Sequence, residues 1–194
     1  MSNKKKESKK KSWMPALAWV VIVAAAAGLA LAGYWWAGSR QAAQDFDQLA
    51  KSGKAALASV KVDADYGRNH SRPGEPLMFQ SDPPTSGTHW PSWTEAGFYS
   101  SPQPKEKLVH SLEHGNVVIY YDKPAAETLK TLKAWAKRFQ GQWDGLVVVP
   151  KQGLGEGIIL TAWAKVLHQD KFDAAAAAAF VDAFRGRGPE NPVR

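Results

Sequence analysis

Glu106-Lys-Leu-Val-His-Ser-Leu-Glu-His-Gly-Asn-Val-Val-Ile-Tyr-Tyr121 holds two elements of different kind. Its first half reads as a short helix over 106–114, closed by Gly115 at the position after the last helical residue. Residues 117–121 are a continuous β-branched and aromatic run, the pattern of a buried strand. Outward from there the alternation continues. Pro124 opens a helix that runs to Gln140, with Leu129, Leu132, Trp135, Ala136 and Phe139 as its apolar stripe. Residues 146–149 and 158–164 read as two further strands, and 170–185 as a helix with Phe172, Phe180, Val181 and Phe184 facing inward. Gly153, Gly155 and Gly157 fall between two strands, so they read as a hairpin turn and not as a phosphate loop. The order strand–helix–strand–strand–helix predicts an α+β domain, a small mixed sheet flanked by helices.

Upstream the character changes. Residues 63–104 carry seven prolines and four glycines, which leaves little room for regular helix. Leu77-Met78-Phe79 reads as a short strand, and Trp90, Trp93, Phe98 and Tyr99 point to an ordered, packed loop. Residues 39–60 place Phe46, Leu49, Ala50, Leu57 and Val60 at amphipathic spacing, a stalk helix with Ser39 as its cap. The globular domain is then expected over 61–194.

Residues 13–38 contain no formal charge, and a helix of about 20 apolar residues spans a bilayer. The sequence therefore predicts an N-terminal transmembrane helix. Six lysines in 1–12 form a basic cytoplasmic tail, and the positive-inside rule places the rest of the chain outside. Tyr34, Trp35 and Trp36 would lie at the outer headgroups. Ala30-Leu31-Ala32 resembles a signal-cleavage site, but the apolar run is longer than the 7–15 residues typical of such signals. The expected location is the cytoplasmic membrane, single-pass, with the bilayer as partner and any partner in a membrane complex unidentified.

The 194 residues are 44% hydrophobic and 22% charged, enough to bury a core and too apolar for overall disorder. There is no cysteine, so disulfides, thiol chemistry and cysteine-ligated metals are excluded. The net charge of +7 invites a nucleic-acid reading, but six lysines against Glu7 put +5 of it in the first 12 residues. A remainder so near neutral is a poor phosphate-binding surface.

Four of the five histidines, His70, His89, His110 and His114, fall within one stretch of the chain. His110 and His114 are four apart, which on a helix presents both imidazoles on one face, a standard way to hold a metal ion. His89 follows Pro83-Pro-Thr-Ser-Gly87, and His70 opens the same irregular segment. Imidazole donors suit copper or zinc, with nickel, cobalt and iron still open. Met78 is a candidate soft ligand. His110-Ser-Leu-Glu113-His114 also matches the H-x-x-E-H string of inverted zinc peptidases. Those enzymes need a longer helix and a glutamate from a downstream helix, whereas this helix ends at Gly115, and Glu127, Glu156 and Glu190 are poorly placed. Glu113 is better read as an acceptor that orients an imidazole or caps backbone. Ser86 and Ser111 lack a nucleophile elbow and read as turn contacts. Trp90 and Trp93 suit packing around the loop better than a ligand cage.

Pro83-Pro-Thr-Ser-Gly-Thr-His89, Tyr99, Val109-His-Ser-Leu-Glu-His-Gly115 and Leu160-Thr-Ala-Trp163 together resemble a bacterial family catalogued as domain of unknown function 3105. The resemblance runs over about 67–190. It implies a membrane-anchored or exported protein without an assigned activity, and it groups His70, His89, His110, Glu113 and His114. Thr88 departs from the proline expected there, which affects only the turn. The reading that follows is a membrane-anchored extracytoplasmic protein with a histidine-rich copper or zinc site, acting in metal binding, handling or sensing. Its rivals are a metal-dependent hydrolase with Glu113 as base and a metal-free structural subunit of a membrane complex.

Overall fold

The computed structural model describes residues 16–194. Two compact units divide between Asp45 and Phe46, and the second, Phe46–Arg194, holds the sheet and the histidines.

The first helix, α1, is Ala16–Ser52. Among the described residues no helix is long and apolar enough to cross a membrane. This corrects the predicted transmembrane helix. The expected basic tail over 1–12, and residues 13–15, lie outside the described residues. No separate stalk helix begins at Ser39: α1 runs on to Ser52, and a 3-10 helix follows at Lys54–Ser59. Phe46 and Ala50 are buried in the core. At Gly53 a Cβ would fall 1.9 Å from the Ala175 carbonyl, so only glycine lets the chain pass there.

The remaining elements are β1 (Lys61–Val62), β2 (Gly97–Phe98), α2 (Lys105–His114), β3 (Val117–Tyr121), α3 (Ala126–Arg138), β4 (Leu146–Pro150), β5 (Ile158–Ala162), β6 (Lys165–Gln169) and α4 (Ala174–Phe184). They build one mixed sheet in the order β1-β6-β5-β3-β4-β2. Central β3 pairs in parallel with β4 and antiparallel with β5. All five of its residues are buried, because both faces of the sheet are covered. On one face Val117, Ile119, Leu146, Val148 and Leu160 meet Leu132 and Trp135 of α3 and Phe180 of α4. On the other, Val118, Tyr120, Val147 and Val149 meet Leu108 and Leu112 of α2. The α+β sheet flanked by helices is thus observed.

Three local readings change. The strand expected over 158–164 ends at Ala162, turns through Ala164 at φ 53°, and returns as β6. The segment with Gly153 and Gly155 is not a hairpin, since β4 and β5 lie on opposite sides of β3. It crosses the end of β3, where the Asp122 carboxylate accepts from both glycine amides. Leu77-Met78-Phe79 forms no strand, and Met78, the candidate soft ligand, is 94% exposed.

Candidate metal centre

Helix α2 is buried from Leu108 to its end. Leu108 and Leu112 face the sheet, so His110, Glu113 and His114 turn toward the irregular segment laid over the helix. Ser111 fastens that segment: its hydroxyl donates to the Thr94 carbonyl at 2.7 Å and accepts from the Thr94 amide at 3.0 Å. Ser86 does similar work, accepting from the Tyr66 amide and donating to the Ala64 carbonyl. Neither serine is placed as a nucleophile.

His70 and His89 meet through a short parallel bridge. The His89 amide donates to the Asn69 carbonyl and the Ser71 amide to the His89 carbonyl, which leaves the two rings 4.9 Å apart. His89 is fully buried. Its Nδ1–H donates to the Gly87 carbonyl at 2.8 Å, which fixes the tautomer and leaves a lone pair on Nε2. That Nε2 stands 2.9 Å from Oε2 of Glu113, and His70 Nε2 lies 3.5 Å from the same oxygen. His110 repeats the arrangement. Its Nδ1–H donates to the Trp90 carbonyl at 2.7 Å, and its ring stacks on His70 at 4.9 Å. Donor atoms of His70, His89, His110 and Glu113 all lie within 4.8 Å of one another.

His114 stands one helical turn on, its Nε2 3.1 Å from that of His110 and 3.2 Å from Oε2 of Glu190. Trp93 and Trp143 flank its ring. Burial, reinforced by the neighbouring His110, holds the His114 pKa down to about 4, and burial likewise lowers that of His89. Both are therefore neutral near pH 7, the form that binds metal.

The structure brings His70, His89 and His110 to one point, with His114 beside them. Glu113 touches the His89 imidazole, but it stands inside the donor group and not behind it. Glu190, set aside as poorly placed on sequence grounds, in fact stands beside His114. It arrives on the coil after α4, and no local pattern signals that this coil folds back onto α2. Trp90 is no cage wall: its indole donates to the Glu75 carbonyl. His168 lies exposed on β6, outside both groups.

The family described as Protein of unknown function (DUF3105) matches residues 70–194, a span that contains all of these side chains. The chain belongs to the DUF3105 family. No curated protein and no solved structure matches it. The six clustered donors are accordingly residues of the DUF3105 domain itself.

Proposed function

We propose that this DUF3105 domain binds a transition-metal ion through His70, His89, His110 and Glu113, and that metal binding, handling or sensing is its function. One observation carries the reading. With Nδ1–H committed to Gly87, His89 aims a lone pair at the Glu113 carboxylate from 2.9 Å, so two acceptors face each other in a buried place. Such a contact is stable only with a cation between or bound to both partners. A proton is one candidate, but burial disfavours the imidazolium. A divalent ion accepts both lone pairs at once. Three imidazoles and one carboxylate suit zinc or cupric copper, whereas cuprous copper would prefer a thioether, and Met78 is turned to solvent. A hydrolase using Glu113 as base is disfavoured, because that oxygen already contacts His89 and His70.

The test is titration of the metal-free protein with Zn²⁺ and Cu²⁺ near pH 7.5, followed by elemental analysis. His89→Ala should lose at least tenfold in affinity, while His168→Ala should match the unaltered chain. Binding that survives His89→Ala undiminished would leave the histidines as structural hydrogen-bond partners.

A further inference from the structure

A second donor group adjoins the first. Donor atoms of His110, His114 and Glu190 also lie within 4.8 Å of one another. His110 belongs to both groups, yet its Nδ1–H is spent on Trp90, so it offers one lone pair and can ligate one ion. Assigned to the second group, it divides the six donors into two sets of identical composition. One is His70, His89 and Glu113; the other is His110, His114 and Glu190. We infer that the centre is dinuclear, two divalent transition-metal ions side by side, each held by two imidazoles and one carboxylate. The inference rests on the metal-binding reading above and extends it to a second ion, His110 passing from the first ion to the second when both are bound.

Glu190 does not reach His114 by chance of a loose tail. Its amide donates to the Glu113 carbonyl at 3.3 Å, and Arg68 donates to the preceding Pro189 carbonyl at 3.0 Å. The Gly186 amide donates to the Gly115 carbonyl at 2.8 Å. Gly188 lies so close to the end of α2 that a Cβ would come within 2.2 Å of the Glu113 carbonyl oxygen and the Gly115 nitrogen. Gly115 itself, at φ 101°, reciprocates, a Cβ there falling 2.7 Å from the Gly188 nitrogen. The close approach of these two glycines seats the C-terminal segment where its carboxylate meets the last histidine of the helix.

His114 is built for the same purpose. Its ring is gripped between Trp93, at 4.7 Å, and Trp143, at 4.3 Å, while Nε2 turns to His110 and Glu190. Its Nδ1, beside the Gln142 backbone, is buried without a well-formed hydrogen bond. The separations of 3.1 and 3.2 Å are those of neighbouring ligands on one ion with bonds of about 2.1 Å. Two carboxylates offset half the charge of two dications. Two imidazoles and one carboxylate leave positions open on each ion, and ions about 3.5–4 Å apart can share an oxygen ligand from solvent.

The experiment is metal loading of the purified full chain with Co²⁺ and Mn²⁺. Two ions per chain are expected at saturation, and an exchange-coupled pair in the Mn²⁺ resonance spectrum. Glu190→Gln should hold one ion and show no coupling. That side chain is 42% exposed and its backbone ties remain, so the variant keeps its fold, which melting checks. One ion in the unaltered chain, or two coupled ions in Glu190→Gln, would overturn the dinuclear centre while leaving the single-ion reading intact. No bound ion in either protein would overturn both.

Discussion

At the residue scale the decisive contact is His89 against Glu113. On the reading proposed above, the metal-free chain sets a lone pair and a carboxylate oxygen against each other across 2.9 Å in a buried place, which should weaken the fold. Glu113→Gln replaces one acceptor with an amide that can donate to the His89 Nε2. The metal-free variant should therefore melt higher than the unaltered protein, by about 2–4 °C for each kcal/mol relieved, while its metal affinity falls. Thermal melting in chelator checks this, and a lower melting temperature would mean that a proton already joins the pair. His114 supplies the pH dependence. Its pKa is about 4 in the folded chain against about 6.5 when unfolded, so the unfolded state binds more protons between those values. The stability this neutral histidine contributes is complete above pH 6.5 and is lost as pH falls toward 4, a cost of roughly 3 kcal/mol. Urea midpoints of the metal-free protein should drop across that window, and His114→Gln should flatten the drop.

At the element scale, legibility followed the density of local signals. Helix α2, its glycine stop and β3 could be read directly, because Gly115 at φ 101° ends the helix and five consecutive apolar residues require burial on both faces. Strand β6 could not. It carries Lys165, His168 and Gln169, and its turn uses Ala164 at positive φ, where a glycine or asparagine would have marked the reversal. The glycine-rich crossing was misread for a different reason. Glycines announce a turn but not which strands it joins, and here β3 stands between β4 and β5. Strands β1 and β2 have two residues each and owe their extended form to neighbours, Val166 and Lys165 for one, Val147 and Val148 for the other. Likewise the spacing of His110 and His114 showed a shared helical face, whereas the meeting of His70 with His89 depends on backbone bonds between loop residues that no periodicity encodes.

At the scale of the whole molecule, the centre joins three parts of the chain that the sheet alone does not bind together. The irregular segment before α2 supplies His70 and His89, the helix supplies His110, Glu113 and His114, and the coil after α4 supplies Glu190. The two apolar clusters of the core include no residue of the irregular segment before Phe98 and none after Phe184; these parts are held by buried polar and backbone contacts instead, Thr85, Ser86, His89 and Thr94 among them. Metal binding should then act as a clasp. At a free concentration of about 100 times Kd it adds about 2.7 kcal/mol to the folded state. Below the global unfolding limit, that energy should appear where the ligands are carried. Hydrogen exchange on Zn²⁺ loading should slow at the His89 and Ser71 amides, which lock the histidine bridge, and at the Glu190 amide on the C-terminal coil. Amides at the Ile158–Gln169 end of the β5–β6 pair, the end away from Trp163 and its ring contact with His89, should change little. Uniform slowing across the sheet would mean that the ion stabilises the domain globally. Unchanged exchange at His89 and Glu190 would mean that it binds somewhere other than the clustered donors.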